Sequence, residues 1–311
     1  DDLSNSELAV IESIKHITGK KPHLEIFNLI DHKKSDTFFK EHQDVLGVIH
    51  FAAFKKVGQS VKNPLMYYRN NLASLINVLE GMGKSNIPNI VFSSSCTIYG
   101  VPKKLPVSEE SDFQQANNPY GNTKIISEAI IKDFVQINNI NAINLRYFNP
   151  VGAHQSSKIG ELPFGAEPSI VPIINQVAIG VKDQFNIFGD DYDTPDGTAI
   201  RDYIHVVDVA KAHVCALRRM LDHKMDNQIE NFNLGTGVGY SVLEVVKSFE
   251  KISGIKLKYK ILGRREGDVA KIWADPKRSN SILGWKAKLT LEDMLMSSWK
   301  WERAYRSSKS D

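Results

Sequence analysis

Cysteine is scarce in this sequence. The 311 residues contain only two, Cys96 and Cys215, which are too few for a disulfide framework and lack the spacing of zinc ligands. This is typical of a reducing compartment, so a cytoplasmic location is expected. The nine histidines include no H-x-x-x-H or H-E-x-x-H pair. We therefore expect no metal site, and we interpret His50, His154 and His205 as structural.

Long apolar runs and an excess of one charge are also absent. No apolar stretch reaches the ~18 residues that span a bilayer, and the polar start of the chain lacks the basic and apolar regions of a signal peptide. Lys and Arg number 39 against 36 Asp and Glu, and the basic residues are scattered. Neither a membrane nor a nucleic acid is expected as a partner, whereas a small anionic ligand is compatible.

Hydrophobic residues at 42% and charged residues at 24% are typical of a protein with a packed core. Between residues 20 and 150, short apolar runs alternate with longer helical stretches, which predicts βα units on a parallel sheet. The predicted strands are 47–53, 89–95 and 142–148, and the predicted helices are 64–82 and 120–138. Loop-rich stretches at 154–168 and 189–198 indicate a second lobe that returns to the sheet. Its predicted helices are 206–220, 241–252 and 294–305, the last after a capping signature at Thr290 to Asp293.

The strongest local pattern combines a run of serines with a tyrosine and a lysine. Ser93, Ser94 and Ser95 close a buried strand, and Tyr120 and Lys124 follow as a Y-x-x-x-K at a helix start. The i, i+4 spacing places both on one helical face. There Lys124 could lower the pKa of the phenol. A change toward neutrality needs about 4 kcal/mol from nearby positive charge, which a lysine plus an oxidised nicotinamide could supply. By itself, a Y-x-x-x-K pattern more often marks a solvated helix face. The serines that close the preceding buried strand make a catalytic pair the favoured interpretation here.

One glycine-rich stretch imitates a phosphate-binding loop. Gly235, Gly237 and Gly239 follow a strand and precede a helix, but the third glycine is misplaced for G-x-G-x-x-G. We interpret this stretch as a turn into a helix that Ser241 caps.

Ten sequence strings carry a resemblance over nearly the whole chain. They are HFAA (50–53), VGQS (57–60), YYRNN (67–71), FSSSCTIYG (92–100), PYGNTK (119–124), RYFNPVGAH (146–154), FGDDYDTPDG (188–197), RDYIHV (201–206), NLGTG (233–237) and RREGD (264–268). With them the chain resembles the extended short-chain dehydrogenase/reductase family, and within it the UDP-glucose 4-epimerases (UDP-galactose 4-epimerases). The Y-x-x-x-K marks only the wider family, whereas the strings 146–154 and 196–206 are specific to the epimerases.

The resemblance implies a Rossmann-like, doubly wound parallel sheet with a smaller C-terminal α/β substrate lobe. Residues 1–150 would form the NAD-binding domain, and residues 151–311 mainly the lobe that binds the nucleotide sugar. The implied reaction interconverts UDP-glucose and UDP-galactose by transient oxidation at C4 of the hexose, with NAD as cofactor. A homodimer is expected by the same resemblance.

The resemblance also assigns site residues. Tyr120 would be the catalytic base, Lys124 its electrostatic partner and a ribose ligand, and Ser95 the hydroxyl that binds the reacting oxygen, with help from Thr97. The cofactor would contact these residues and also Asp1, Asn5, Ser6, Asn28, Leu29, Phe51, Ala52, Ala53, Lys55, Asn70 and Phe148. The substrate would contact Asn149, Ser169, Ile170, Asn186, Ile187, Phe188, Arg201, Arg265, Asp268 and Ile272.

Three positions qualify these assignments. Asn28 stands where the family has an Asp that binds adenine, and Ser169 where it usually has an Asn. Ile272 occupies the position whose bulk limits the space beside C2 of the sugar, so a preference for sugars without an N-acetyl group is expected. Arg201 and Arg265 suit a diphosphate because a guanidinium can be bidentate to phosphate oxygens. The alternative is that they form surface ion pairs with Asp202 or Glu266.

Two other functions remain open. A related nucleotide-sugar dehydratase or reductase would share the first steps, although a dehydratase is expected to carry an acid where this chain has Cys96 and Thr97. A non-catalytic protein that only binds a nucleotide sugar is the second alternative. The family's chains open with a strand, a Gly-rich turn and a helix that hold the NAD pyrophosphate. Asp1 matches the end of the second strand, so about thirty residues are expected to precede it in the biological protein.

Overall fold

A computed structural model describes residues 1–114, 116, 118–162, 169–265 and 267–310. The strands within these ranges are β1 (Val48–His50), β2 (Asn89–Ser95), β3 (Asn141–Tyr147), β4 (Asn149–Val151), β5 (Phe185–Phe188), β6 (Ile200–Arg201), β7 (Tyr203–His205), β8 (Ile229–Leu234), β9 (Tyr240–Ser241), β10 (Tyr259–Leu262) and β11 (Lys271–Ile272). The helices are α1 (Ala9–Thr18), α2 (His32–Glu41), α3 (Val57–Lys62), α4 (Pro64–Lys84), α5 (Pro119–Ile137), α6 (Ile170–Ala178), α7 (Val206–Leu221), α8 (Val242–Ser253), α9 (Lys277–Ser281) and α10 (Leu291–Ser310).

The central sheet is parallel and has the strand order β1-β2-β3-β8. Alternate residues of β2 face opposite layers, as the pleat of a strand requires. Ile90 and Phe92 pack with α4 and α5, whereas Val91 packs with Val209 and Ala212 of α7. Helices therefore cover both faces, and the predicted α/β class with a doubly wound sheet is confirmed. Because β8 follows α7 in the chain, a late segment returns to the sheet as expected.

Most predicted elements match the structure within a few residues. The last helix, α10, extends beyond the predicted 294–305 at both ends, and the first predicted strand is shorter than expected. That strand was expected over residues 47–53, but β1 ends at His50. After His50 the chain turns away from the sheet, and Asn71 of α4 holds it there. The Asn71 side chain accepts a hydrogen bond from the Phe54 N–H at 2.8 Å and donates one to the Phe54 carbonyl at 3.0 Å.

Two predicted helix caps are confirmed. Ser241 and Glu244 form a capping box at the start of α8. Before α10, the Thr290 hydroxyl accepts from the Asp293 N–H, and the Asp293 carboxylate accepts from the Thr290 N–H. Each pair satisfies backbone donors that a helix start leaves open.

The second lobe has an apolar core of its own. Residues of β5, α6, α8 and α10 meet in it, among them Ile174, Phe185, Phe249 and Trp299. The small sheets β10-β5 and β11-β6-β9 lie in this part of the chain. Of the loop predicted at 154–168, residues 163–168 lie outside the described residues. In the part of the chain that the structure describes, no helix is long and apolar enough to cross a membrane.

Candidate active site

The carboxyl end of β2 meets the first turn of α5. Asn118 caps this helix by accepting a hydrogen bond from the Gly121 N–H at 2.8 Å. Tyr120, in the same turn, is only 7% exposed. Its hydroxyl lies close enough to the side chain of Ser95, the last residue of β2, for Ser95 to lower the pKa of the phenol. The structure thus brings together the serine and the tyrosine that the sequence predicts to act together.

Lys124 lies one helical turn after Tyr120 and is also buried. Its ammonium donates a hydrogen bond to the Ser93 carbonyl at 2.7 Å. It lies 4.8 Å from the centre of the Phe92 ring and 6.0 Å from the centre of the Tyr120 ring. The predicted shared face of tyrosine and lysine is therefore present, and the strand end fixes the lysine.

Burial controls the pKa of both groups. It raises the pKa of Tyr120, and the neighbouring Ser95 side chain only partly opposes this rise. It lowers the pKa of Lys124 to about 8, against the opposing charge of Glu128. In the protein without its cofactor, burial therefore outweighs the lysine, and the combined effect of Lys124 and an oxidised nicotinamide on the pKa of Tyr120 stays a prediction. The ammonium is bonded to a backbone carbonyl, and the removal of both groups from water dominates.

Two buried oxygen atoms near this strand end lack a hydrogen-bond partner among the described residues. They are Oγ1 of Thr97 and Oδ1 of Asn149. Buried polar atoms in native proteins almost always have a partner. Both residues belong to the predicted site, and their free acceptors suit the hydroxyl groups of a bound sugar.

A second cluster joins both predicted arginines to one carboxylate. Asp268 Oδ1 is 2.9 Å from Arg265 Nη2 and 3.9 Å from Arg201 Nη2. The Arg265 guanidinium also lies over the Phe188 ring, 5.6 Å from its centre. The structure therefore places four of the predicted substrate residues together. Of the ion-pair partners considered as an alternative, Asp202 is engaged elsewhere and Glu266 lies outside the described residues.

Ile272 connects the two clusters. It pairs with Arg201 across β11 and β6, and its buried side chain packs with Cys96 and Phe148. Cys96 directly follows Ser95 and begins a short 3-10 turn (Cys96–Tyr99). Ile272 is thus in position to form a wall between the arginines and the catalytic strand end.

Asp202 anchors the segments that carry this wall. Its carboxylate accepts hydrogen bonds from the N–H groups of Thr236, Gly237 and Ala274 at 2.9 to 3.1 Å. Gly237 has a φ of 80°, a backbone conformation that favours glycine. The glycine-rich stretch is therefore a turn that a carboxylate holds, which confirms the interpretation from the sequence.

The remaining predicted substrate residues lie in the second lobe. Asn186 is half-buried and Phe188 is exposed, but Ile187 between them is 1% exposed and packs in the lobe core. Only the backbone of Ile187 could therefore reach a ligand. Ile170 begins α6 and packs against the same core.

The predicted cofactor residues are spread along the chain from Asp1 to Phe148, which directly follows β3. Asp1 pairs with the backbone of Glu25 and Phe27, and Asn28 donates to Asp2 at 2.8 Å. Among the others, Asn5 and Ala52 are exposed, Ser6, Ala53 and Asn70 are half-buried, Phe148 is buried, and Leu29 packs under α4. Phe51, at 54% exposure, lies against His213, with 4.4 Å between ring centres and the rings tilted by 33°.

Glu161 joins the two halves of the predicted site. Its Oε1 atom is 3.4 Å from Nζ of Lys55 and accepts a hydrogen bond from the Ser169 hydroxyl at 3.2 Å. A predicted cofactor residue and a predicted substrate residue therefore share one carboxylate.

Comparison with known proteins identifies the family. The UDP-glucose 4-epimerase of Bacillus subtilis is 46% identical over 303 residues, which cover 97% of this chain and 88% of that protein. The human UDP-glucose 4-epimerase is 45% identical over 94% of this chain and 83% of its own length. The chain belongs to the UDP-glucose 4-epimerase family. A family model described as GDP-mannose 4,6 dehydratase also matches residues 2–297.

Solved structures of epimerases share the fold. The enzyme from Stenotrophomonas maltophila, crystallised with NAD and formylated UDP-arabinopyranose, matches with a TM-score of 0.94 and 42% identity over 99% of this chain and 90% of that chain. The Bifidobacterium longum enzyme, in complex with NAD+ and UDP, matches with a TM-score of 0.93 and 44% identity over 98% and 90%. The epimerase fold is therefore established for this chain.

Sequence reasoning missed several residues that hold the epimerase-like site together. They are Asn71, Glu128, Glu161 and Asp202. Three stand beside predicted residues: Asn71 follows Asn70, Glu128 lies one turn after Lys124, and Asp202 follows Arg201. A search for buried polar side chains adjacent to predicted ligands would have found these three, whereas Glu161 is revealed only by its contacts in space.

Proposed function

We propose that this protein interconverts UDP-glucose and UDP-galactose by transient oxidation at C4 of the hexose, with NAD as its cofactor. The observation that carries the proposal is the convergence of Ser95, Tyr120 and Lys124 at the end of β2. Membership of the UDP-glucose 4-epimerase family supports the same substrates.

The residues at the strand end fit the nicotinamide and ribose end of NAD. The Lys124 ammonium has three N–H donors and gives one of them to the Ser93 carbonyl. The donors that remain suit the hydroxyl groups of a ribose. When bound, NAD supplies the acceptor that takes the hydride from C4 and the source that returns it.

Tyr120 is the base in this proposal. The Ser95 hydroxyl lies near its phenol and, because a hydroxyl can both donate and accept, would bridge to the 4-hydroxyl of the sugar. With Lys124 and the positive charge of an oxidised nicotinamide beside it, Tyr120 would act as the phenolate and take the 4-hydroxyl proton, while the C4 hydride would pass to bound NAD, which gives a 4-keto sugar. After the hexose turns in the site, the same hydride would return to the other face of C4, and Tyr120 would give its proton back to the oxygen. Lys124 stabilises the phenolate electrostatically.

Arg201 and Arg265 would bind the diphosphate in place of Asp268, their common partner in the structure. Diphosphate ligands that are separate from the residues at the end of β2 suit the reaction, because the diphosphate must stay bound while the hexose turns. Asn149 and Thr97 supply the free buried oxygen atoms for the sugar.

The oligomeric state and the location are part of the proposal. Leu65, Met66 and Ile76 of α4 are exposed, and such an apolar strip suits contact with a second copy of the chain. Cys96 and Cys215 are both free thiols, which suits the reducing cytoplasm.

The direct test adds UDP-galactose and NAD to the purified protein and follows the sugar by proton NMR. We expect conversion to an equilibrium mixture with UDP-glucose, and the same mixture when the reaction starts from UDP-glucose. Accumulation of a 4-keto-6-deoxy sugar would show a dehydratase instead. Binding of UDP-sugar without any conversion would support the non-catalytic alternative.

A further inference from the structure

One face of α5 docks on three consecutive residues of β2. Tyr120, Lys124 and Glu128 follow one another at i, i+4 and i+8. They contact the Ser95 side chain, the Ser93 carbonyl and the Ser94 hydroxyl, respectively. The first two of these contacts involve the proposed base and its lysine, and the third is not used by the mechanism.

Glu128 is held from two sides. Its Oε1 atom accepts hydrogen bonds from the Ser94 hydroxyl at 2.5 Å and from Arg146 Nε at 3.0 Å, and Oε2 accepts from Arg146 Nη2 at 2.7 Å. Both members of the ion pair are buried, with side chains 3% and 6% exposed. Arg146 pairs with Ser94 across β3 and β2, so the carboxylate joins the helix to both central strands.

Several titratable groups face the lysine and its strand end from the surrounding elements. They are His50 of β1, Tyr67 of α4, Cys96, Arg146 and Tyr147 of β3, and His213 of α7. Burial lowers the pKa of His50 to about 3 and raises those of Cys96 and Tyr147 to about 12. It also lowers the pKa of His213.

These four groups are therefore uncharged near neutral pH. Glu128 supplies the negative charge beside the lysine, and the positive charge of Arg146 is bound to the far side of the same carboxylate. A buried ammonium needs such a partner because removal from water favours its neutral form.

We propose that Glu128 is a positioning residue for the catalytic pair: it locks the α5 face onto the end of β2 and keeps Lys124 protonated during turnover. The inference rests on the proposed function, since it assigns Lys124 the role of a charged partner for Tyr120. The two parts of the proposal, docking and charge, make different predictions.

The charge is tested with Glu128→Gln, which keeps a similar shape and removes the negative charge. We expect the pKa of Lys124 to fall by about one unit or more, as for the loss of a neighbouring opposite charge. The loss of activity at high pH should then begin at a correspondingly lower pH. Two readouts follow this change: the pH profile of kcat, and the titration of the Lys124 Cε resonance in protein with 13C-labelled lysine. The resonance is assigned by its loss in Lys124→Arg.

Glu230→Gln is the matched control. Glu230 is also a buried carboxylate in a bidentate pair with an arginine, Arg219, at 2.7 and 2.9 Å. It lies in β8, away from the catalytic helix. We expect this variant to lose stability without moving the pH limit or the Lys124 titration. Equal shifts in both variants would overturn the proposal, because they would show a general effect of weakened packing.

The docking is tested with Ser94→Ala, which keeps every charge and removes only the hydroxyl that donates to Glu128. We expect kcat to fall roughly tenfold, the loss typical of a hydrogen bond to a charged group, at an unchanged pH limit. A wild-type kcat in Ser94→Ala would contradict the docking part of the proposal. An unchanged Lys124 titration in Glu128→Gln would contradict the charge part. The NMR titration needs no turnover, and the wild-type assay tests the proposed function separately.

Discussion

Tyr120 and Lys124 share one property that their residue types do not reveal, since burial favours the neutral form of each. The pKa of the phenol is raised and that of the ammonium is lowered to about 8. Tyr120 therefore keeps its proton at neutral pH until positive charge is brought beside it. The site is arranged so that proton removal is coupled to the presence of its ligands.

The role of Tyr120 predicts a specific loss on substitution. In Tyr120→Phe the ring and its packing remain, but no group can take the 4-hydroxyl proton. We expect turnover to fall by at least about a hundredfold, because general acid–base catalysis contributes ~10² to 10⁴. Affinity for UDP-glucose, measured by calorimetry, should change little. Tyr259→Phe, at an exposed tyrosine of β10, is the control and should retain wild-type turnover. Near-normal epimerisation by Tyr120→Phe would remove this residue from the mechanism.

Ile272 predicts the sugar preference. Its side chain is 5% exposed and packs in the cluster that contains Cys96 and Phe148, so we expect its bulk to limit the space at the proposed sugar site. The wild-type protein should prefer UDP-glucose and UDP-galactose, with slow turnover of the N-acetyl forms at most. Ile272→Ala should raise kcat/KM for the N-acetyl sugars relative to the others. Ile174→Ala, in the lobe core, should destabilise without this change. Comparable rates of the wild-type protein on both pairs of sugars would contradict the assignment.

At the scale of elements, the site depends on buried polar side chains that join segments far apart in the chain. Asp202 connects the end of β6 to the turn after β8 and to the residues after β11. Asn71 joins α4 to the loop after β1 and also donates to the Thr123 hydroxyl of α5 at 3.1 Å. These contacts position the ends of strands, where the reacting groups lie.

Asp202→Asn tests this dependence. The asparagine side chain has only one acceptor oxygen. Its NH2 group would face backbone N–H groups that now donate hydrogen bonds to the carboxylate. We expect the free energy of unfolding to fall by about 2 to 4 kcal/mol, since hydrogen bonds to a charged group contribute ~1.5 to 3 kcal/mol each. Urea denaturation measures the change, and Asp222→Asn, at an exposed aspartate, is the control. Equal stability of the two variants would show that Asp202 does not anchor these segments.

The elements themselves were largely predictable, because periodicity and caps are local signals. The bounds of β2 and the start of α7 match the predictions, and the caps at Ser241 and Thr290 are present. The early end of β1 was not predictable from local sequence. The segment after it is held by a hydrogen bond from the Phe54 N–H to Asn71, which lies 17 residues further along the chain. The raised pKa of Tyr120 was missed for a similar reason. Its cause is burial by the surrounding fold, whereas the i, i+4 spacing shows only the neighbouring lysine.

At the scale of the whole molecule, Ile272 connects the proposed catalytic residues at the end of β2 with the proposed phosphate ligand Arg201, and Glu161 joins Lys55 to Ser169. The residues of the candidate site could be listed from the sequence because the resemblance supplied them. Their supporting network could not, because its contacts join residues separated by as much as 106 positions, as between Lys55 and Glu161.

The exposed strip on α4 predicts self-association. If a second copy covers Leu65, which is 75% exposed, Leu65→Glu should place a charge in that contact and shift the protein from dimer to monomer. Light scattering after size exclusion measures the mass. Val181→Glu, at another exposed apolar residue, should leave the wild-type mass unchanged. A monomeric wild-type protein, or a dimer that Leu65→Glu leaves intact, would refute this arrangement.

The central claim is that hydride leaves C4 and returns to C4 within one turnover. The most direct measurement uses UDP-glucose with deuterium at C4 and follows the label by NMR and mass spectrometry during conversion. The account predicts that UDP-galactose forms with deuterium retained at C4 and that none enters the solvent. Deuterium at C6 with loss of the 6-hydroxyl group, or its release to water, would contradict the account.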